Sequence, residues 1–176
     1  MEQLSVRFPS LAAKTMVCHT LTYFLMGALA AHYLHYADAF AKPNSGMRPL
    51  TDPLVMAGPL FQPIRGLIFA SVFYPLRACL FNRRNGWLIT GWLLVAVGIL
   101  STFGPASGSI EGMIYTPTPP LYQLRGWLEV VPQALLLSAL LCYWVNHPRR
   151  WLNWLLGVIF FIMMALPVMG LLVGRR

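Results

Sequence analysis

Five long apolar stretches alternate along the chain with segments rich in proline, glycine, asparagine or arginine, and this alternation predicts a helical membrane bundle. The first, residues 16–37 (MVCHTLTYFLMGALAAHYLHYA), is long enough at about 1.5 Å per residue to cross a hydrocarbon core about 30 Å thick, despite three histidines. A loop dense in breakers follows, with Asp38, Pro43, Asn44, Gly46, Pro49 and Pro53. The second stretch is expected over 60–80 (LFQPIRGLIFASVFYPLRACL), because Pro59 punctuates the run; a start near Leu54 is the alternative. Pro59 and Pro63 suit a first helical turn, and Pro75 should kink the helix. The choice of start decides the depth of Arg65: a start at Leu60 leaves it within snorkelling reach of the interface, and a start at Leu54 puts it near the midplane.

The third stretch, 87–103 (WLITGWLLVAVGILSTF), is short, free of charge and bounded by NRRNG and GPASGSIEG. The fourth, 121–144, contains Arg125, Glu129, Pro132 and Gln133; the fifth, 151–173, is the cleanest span. NHPRR divides the last two, which predicts an antiparallel hairpin. The expected architecture is therefore all-α, a polytopic integral membrane bundle of five transmembrane helices forming a single domain over 1–176.

Composition supports the membrane reading. Hydrophobic residues make up 57% of the 176-residue chain and charged residues only 10%, against about 25% in a typical soluble domain. The net charge of +8 does not point to nucleic acid, because the basic residues are scattered singly or in pairs at the ends of apolar runs, where they would meet anionic lipid headgroups. Membrane lipids, and a membrane-protein partner or a second copy of the chain, are the expected partners.

Charge placement also predicts orientation in the cell membrane. Arg7, Lys14, Arg77, Arg83, Arg84, Arg149 and Arg150 fall on one side of a five-span topology, and Lys42, Arg48, Arg125, Arg175 and Arg176 on the other. The short 77–84 and 149–150 turns carry the positive-inside bias, so the N-terminus is expected in the cytoplasm and the C-terminus outside. Trp87, Trp144, Trp151 and Trp154 cluster at the same turns, as interfacial anchors do.

Candidate chemistry is sparse. Cys18, Cys79 and Cys142 lie in three separate stretches with no CxxC spacing and read as small hydrophobes. His32 and His35 share a helix face while His19 lies on another, and the remaining histidine, His147, falls in a turn, so no metal or haem is assigned and the cofactor stays unknown. No G-x-S-x-G elbow, HExxH or phosphate-loop spacing occurs. The costly residues are Glu129, read as about 10 Å deep in the fourth span, and the arginines that could face it, Arg125 on the same helix and Arg65 on the second. His32, Gln62 and Gln133 could complete a polar binding site with them, and the 104–120 connector could cover its mouth.

Three functions fit these residues. The first is an accessory or structural subunit of a membrane assembly, with the charged groups pinning helices together. The second is a carrier of a small molecule or lipid with an outer-facing polar pocket. The third is a membrane enzyme acting on an anionic lipid or isoprenoid, with Glu129 as base and Arg65 with Arg125 holding the anionic group.

Overall fold

A computed structural model describes residues 6–36, 38 and 48–173, and their fold is entirely helical. Expectations that rest on Ala37, Lys42, Pro43, Asn44, Gly46, Arg175 and Arg176 fall outside the described residues. Helix α1 spans Phe8–Tyr33 and begins a full two turns before the expected start. Lys14 is accommodated there because its Nζ donates to the Trp144 carbonyl at 3.0 Å and lies 5.6 Å from the centre of the Trp144 ring.

Helix α2 covers Pro53–Phe73. Its start is set by Asp52, whose carboxylate accepts from the Leu54 N–H at 2.8 Å, with Pro53 following in the first turn. The expected start at Leu60 is thus corrected to the earlier alternative. Pro59 does not break the helix because it sits in a 3-10 turn, Gly58–Phe61, that joins the two α-helical halves. The helix ends at Phe73, so Pro75 follows it instead of kinking it, and a single turn, α3 (Arg77–Leu80), comes next.

Helix α4 (Gly86–Leu100) closes on a π turn, Ala96–Leu100, in which the Ser101 N–H reaches back to the Ala96 carbonyl at 2.9 Å. The short α5 (Ile110–Tyr115) is capped by Ser109. Helix α6 (Pro120–Asn146) tightens at Gly126, and α7 (Arg150–Val173) is the last helix among the described residues.

Three of these helices, not five, are long and apolar enough to cross a membrane. They are α2, α6 and α7, with mean hydropathies of 1.3, 1.7 and 2.6. The five-span expectation fails at two places for different reasons. Helix α1 has the length, but Lys14, His19 and its threonines dilute its apolar character. Helix α4 is apolar but spans only Gly86–Leu100, about 22 Å at 1.5 Å per residue.

Helix α1 is the packing centre and touches α2, α6 and α7, while α4 lies against α6. The apolar core gathers where α1 begins, α2 ends, α6 ends and α7 begins: Leu11, Cys18, Phe73, Leu137, Leu141, Trp144 and Leu152 belong to one buried cluster. Helices α6 and α7 are joined by a tight turn pinned by Trp144 Nε1 donating to Asn153 Oδ1 at 2.7 Å. They do not pack as the expected hairpin, because α7 leans instead on α1 and the first half of α2.

Helices α1 and α2 approach tightly at Gly66, where an added Cβ would come within 2.5 Å of the Met16 Cα. Backbone cannot yield as a flexible side chain can, so we expect Gly66→Ala to destabilise the bundle by about 1–3 kcal/mol. Gly91→Ala, which meets the movable Leu135 Cδ2 at 2.9 Å, should cost less. Unfolding midpoints in detergent would rank the two variants; equal midpoints would count against α1–α2 contact as the tight crossing.

Candidate functional site

Four buried polar side chains lie on α1. Thr15, Thr20 and Thr22 are buried, and their hydroxyls donate to the carbonyls of Leu11, Met16 and Cys18 at 2.8, 2.8 and 2.9 Å, so each is satisfied by its own helix. His19 is also buried and looks across the α1–α2 seam. Its Nε2 lies 3.1 Å from Gln62 Oε1, while Gln62 Nε2 donates to the Gly58 carbonyl at 3.2 Å. Because the amide oxygen can only accept, the proton belongs on His19 Nε2. His19 Nδ1 is the buried side-chain polar atom left without a partner among the described residues.

Arg65 emerges one turn along from Gln62. Its charge acts on His19 and on Tyr23, yet the residue is exposed and makes no hydrogen bond or ion pair with the described residues. It stands on an outward surface with Ile64 and Ile68, both 57% exposed.

Glu129 belongs to a second cluster, between α1 and α6. The Tyr36 hydroxyl donates to Glu129 Oε2, and the other carboxylate oxygen faces Gly27, where an added Cβ would meet it at an ordinary contact distance of 3.9 Å. His35, at φ 51, turns the chain beyond α1 and brings Tyr36 back to it. Burial and the bond to Glu129 push the Tyr36 phenol above the ordinary tyrosine range, which keeps the proton on the tyrosine.

The six residues singled out from the sequence are therefore divided. Gln62 joins His19, and Arg65 lies beside that pair. Glu129 joins Tyr36 instead of an arginine: among the described residues the ion pair is Arg48 with Asp52, at 3.0 Å. Arg125 is exposed, and the Gly126 N–H bonding to the Gln123 carbonyl at 3.2 Å breaks the regular turn between Arg125 and Glu129. Gln133 is half-buried without a hydrogen bond, and exposed His32 packs edge-on against Tyr33 at 4.9 Å. Tyr36 partners Glu129 without having been a candidate. Tyr36 lies 93 residues from Glu129 in sequence, past the helix end, and no local spacing joins them.

The 104–120 connector is locked by a buried glutamine. Gln123 Oε1 accepts from the Gly108 N–H at 3.0 Å, and Nε2 donates to the Gly112 and Thr118 carbonyls at 3.1 and 2.9 Å. The Gly112 N–H is taken by Ser109 Oγ at 2.9 Å. These engaged N–H groups leave the connector as a tied cap on the bundle. Among the described residues no group of three His, Cys, Asp or Glu side chains could hold a metal ion.

No family model matches the chain, and neither a curated protein nor a solved structure matches it. What its helices define is an all-α, multi-pass membrane protein.

The Tyr36–Glu129 bond should be measurable as coupling. Tyr36→Phe and Glu129→Gln should each lower stability by about 1–3 kcal/mol, and the double variant should lose less than the sum. Unfolding in detergent reads the cycle, and strict additivity would mean that the two groups do not interact.

Proposed function

We propose that the protein is an accessory subunit of a membrane assembly, docking through the outward face of α2 onto a partner helix that carries a carboxylate at matching depth. The observation that carries this reading is Arg65. It lies twelve residues beyond Pro53 and eight before Phe73, about 18 and 12 Å from the two ends of α2. A charged side chain so placed costs about 2.5–3.5 kcal/mol at the centre of a span unless a partner neutralises it. Glu129 does not do so, being engaged by Tyr36. The flanking Ile64, Leu67, Ile68 and Val72 are exposed at 57, 42, 57 and 45%, an apolar surface on which a second helix can pack around the charge.

The carrier and enzyme readings draw less support. Both need free polar groups converging on one cavity, whereas Gln62 is held by His19 and Gly58, and Glu129 by Tyr36.

A photo-crosslinking residue at Ile68 in native membranes should yield one discrete adduct. Arg65→Lys should keep it and Arg65→Glu should abolish it, with unfolding midpoints unchanged in both. An acid-to-base change in the captured partner should then restore crosslinking to Arg65→Glu. Adducts indifferent to the sign of residue 65 would overturn the reading, and an adduct between two copies would replace the foreign partner with a homodimer.

We further infer that the end gathering Arg77, Arg83, Arg84, Arg149 and Arg150 faces the cytoplasm, by the positive-inside bias. Cys79 is a natural reporter because it is exposed at that end while Cys18 and Cys142 are buried. A membrane-impermeant maleimide should label inside-out vesicles and spare intact cells; labelling of intact cells would reverse the orientation.

A further inference from the structure

At the basic end, a cleft of about 270 Å³ opens between the start of α4 and the end of α6, and we propose that it binds the phosphate and glycerol region of an anionic phospholipid. Arg83 and Arg84 stand on its rim, Trp87 and Tyr143 form apolar walls, and Cys142 and Asn146 also line it. Two guanidinium groups supply the forked donors that phosphate oxygens accept, and amphipathic rings suit the layer where headgroup meets acyl chain.

The cleft is held in shape by the chain around it. The Asn82 N–H donates to Asn146 Oδ1 at 2.9 Å, which ties the 81–85 turn to the end of α6 and leaves the Asn146 amide nitrogen as a donor. Arg83 Nε donates to the Ala78 carbonyl at 3.2 Å, so its terminal nitrogens remain for a ligand. Arg84 is exposed and makes no hydrogen bond with the described residues. Gly86 permits the turn, since a Cβ there would lie 1.9 Å from the Leu80 carbonyl oxygen. Helix α4 begins at this mouth, and its dipole adds attraction for an anion. Cys142 is fixed below by contacts of its sulfur, 3.7 Å each, with Thr90 Oγ1 and the Leu80 carbonyl.

Free phosphate shares the charged chemistry but has no use for the aromatic walls, and the lipid is favoured because α2 and α6 end, and α7 begins, at the level of this cleft. The site is independent of the α2 surface and of any partner docked there.

The test uses the purified full chain in neutral detergent. Native mass spectrometry counts retained phosphatidylglycerol against phosphatidylcholine, and thermal unfolding is followed with each lipid and with inorganic phosphate. Wild type should retain phosphatidylglycerol selectively and gain thermal stability from it. Arg84→Gln, whose side chain makes no internal bond, should weaken retention about fivefold, and Arg83→Gln with Arg84→Gln about thirtyfold. Arg149→Gln with Arg150→Gln removes equal charge from the same end, outside the cleft, and should retain the lipid nearly as wild type. Equal losses in the two double variants would overturn the site in favour of diffuse surface charge. Equal stabilisation by inorganic phosphate would overturn the lipid as its ligand.

Discussion

Helix α1 carries four buried polar side chains at the packing centre of the bundle, and the arrangement of the other helices follows from this constraint. A helix bearing His19 and three buried threonines has to be sheathed, and α2, α6 and α7 supply the sheath. The threonines need no outside partner, because each bonds to its own backbone. His19 does need one, and it finds Gln62 only because Gly66 lets α2 approach the α1 backbone. Seam and crossing are therefore one feature: a side chain at position 66 would widen the gap across which His19 and Gln62 meet.

The two ends of the bundle are held by different forces. At the basic end, buried apolar side chains from α1, α2, α6 and α7 converge, and the long basic and aromatic residues cover them, as Lys14 does over Trp144 and Arg77 does over Tyr74 at 4.4 Å. At the other end, the first half of α2 contributes no buried residue before Gln62, and the chain is tied by polar bonds instead: Tyr36 to Glu129, and Gln123 to the 104–120 connector. Apolar contact is insensitive to direction, whereas a buried glutamine with four bonded groups fixes one backbone path. The connector is long yet ordered for that reason.

Helical content and membrane embedding were legible in the sequence because both follow from runs of apolar residues. The number of spans was not, because hydropathy in one dimension cannot tell a helix that faces lipid from one that other helices enclose. The Met16–Ala37 run looked like a span, and three of its polar residues, His19, Thr20 and Thr22, prove to be buried against neighbours. The start of α2 was misplaced because Pro59 was read as a stop, whereas a 3-10 turn absorbs a residue without an N–H. Gln62 and Glu129 were visible as expensive polar residues, but their partners were not: Gln62 pairs with a histidine 43 residues away and Glu129 with a tyrosine 93 away. Sequence reports which groups need a partner, and only packing reports which partner arrives.

Charge shows where that difference leads. Glu129 and Arg65 looked like the two halves of one ion pair, and each acts on Tyr23, yet they are treated oppositely. The carboxylate is taken inward, where the Tyr36 phenol donates to it. The guanidinium is turned outward from the middle of an apolar helix with no such partner among the described residues. Bringing the two together would have engaged both, because a paired charge is far less costly in hydrocarbon than a lone one. The separation leaves one polar group satisfied inside the bundle and one charge facing out at mid-span, and that outward charge is the feature on which the proposed docking surface rests.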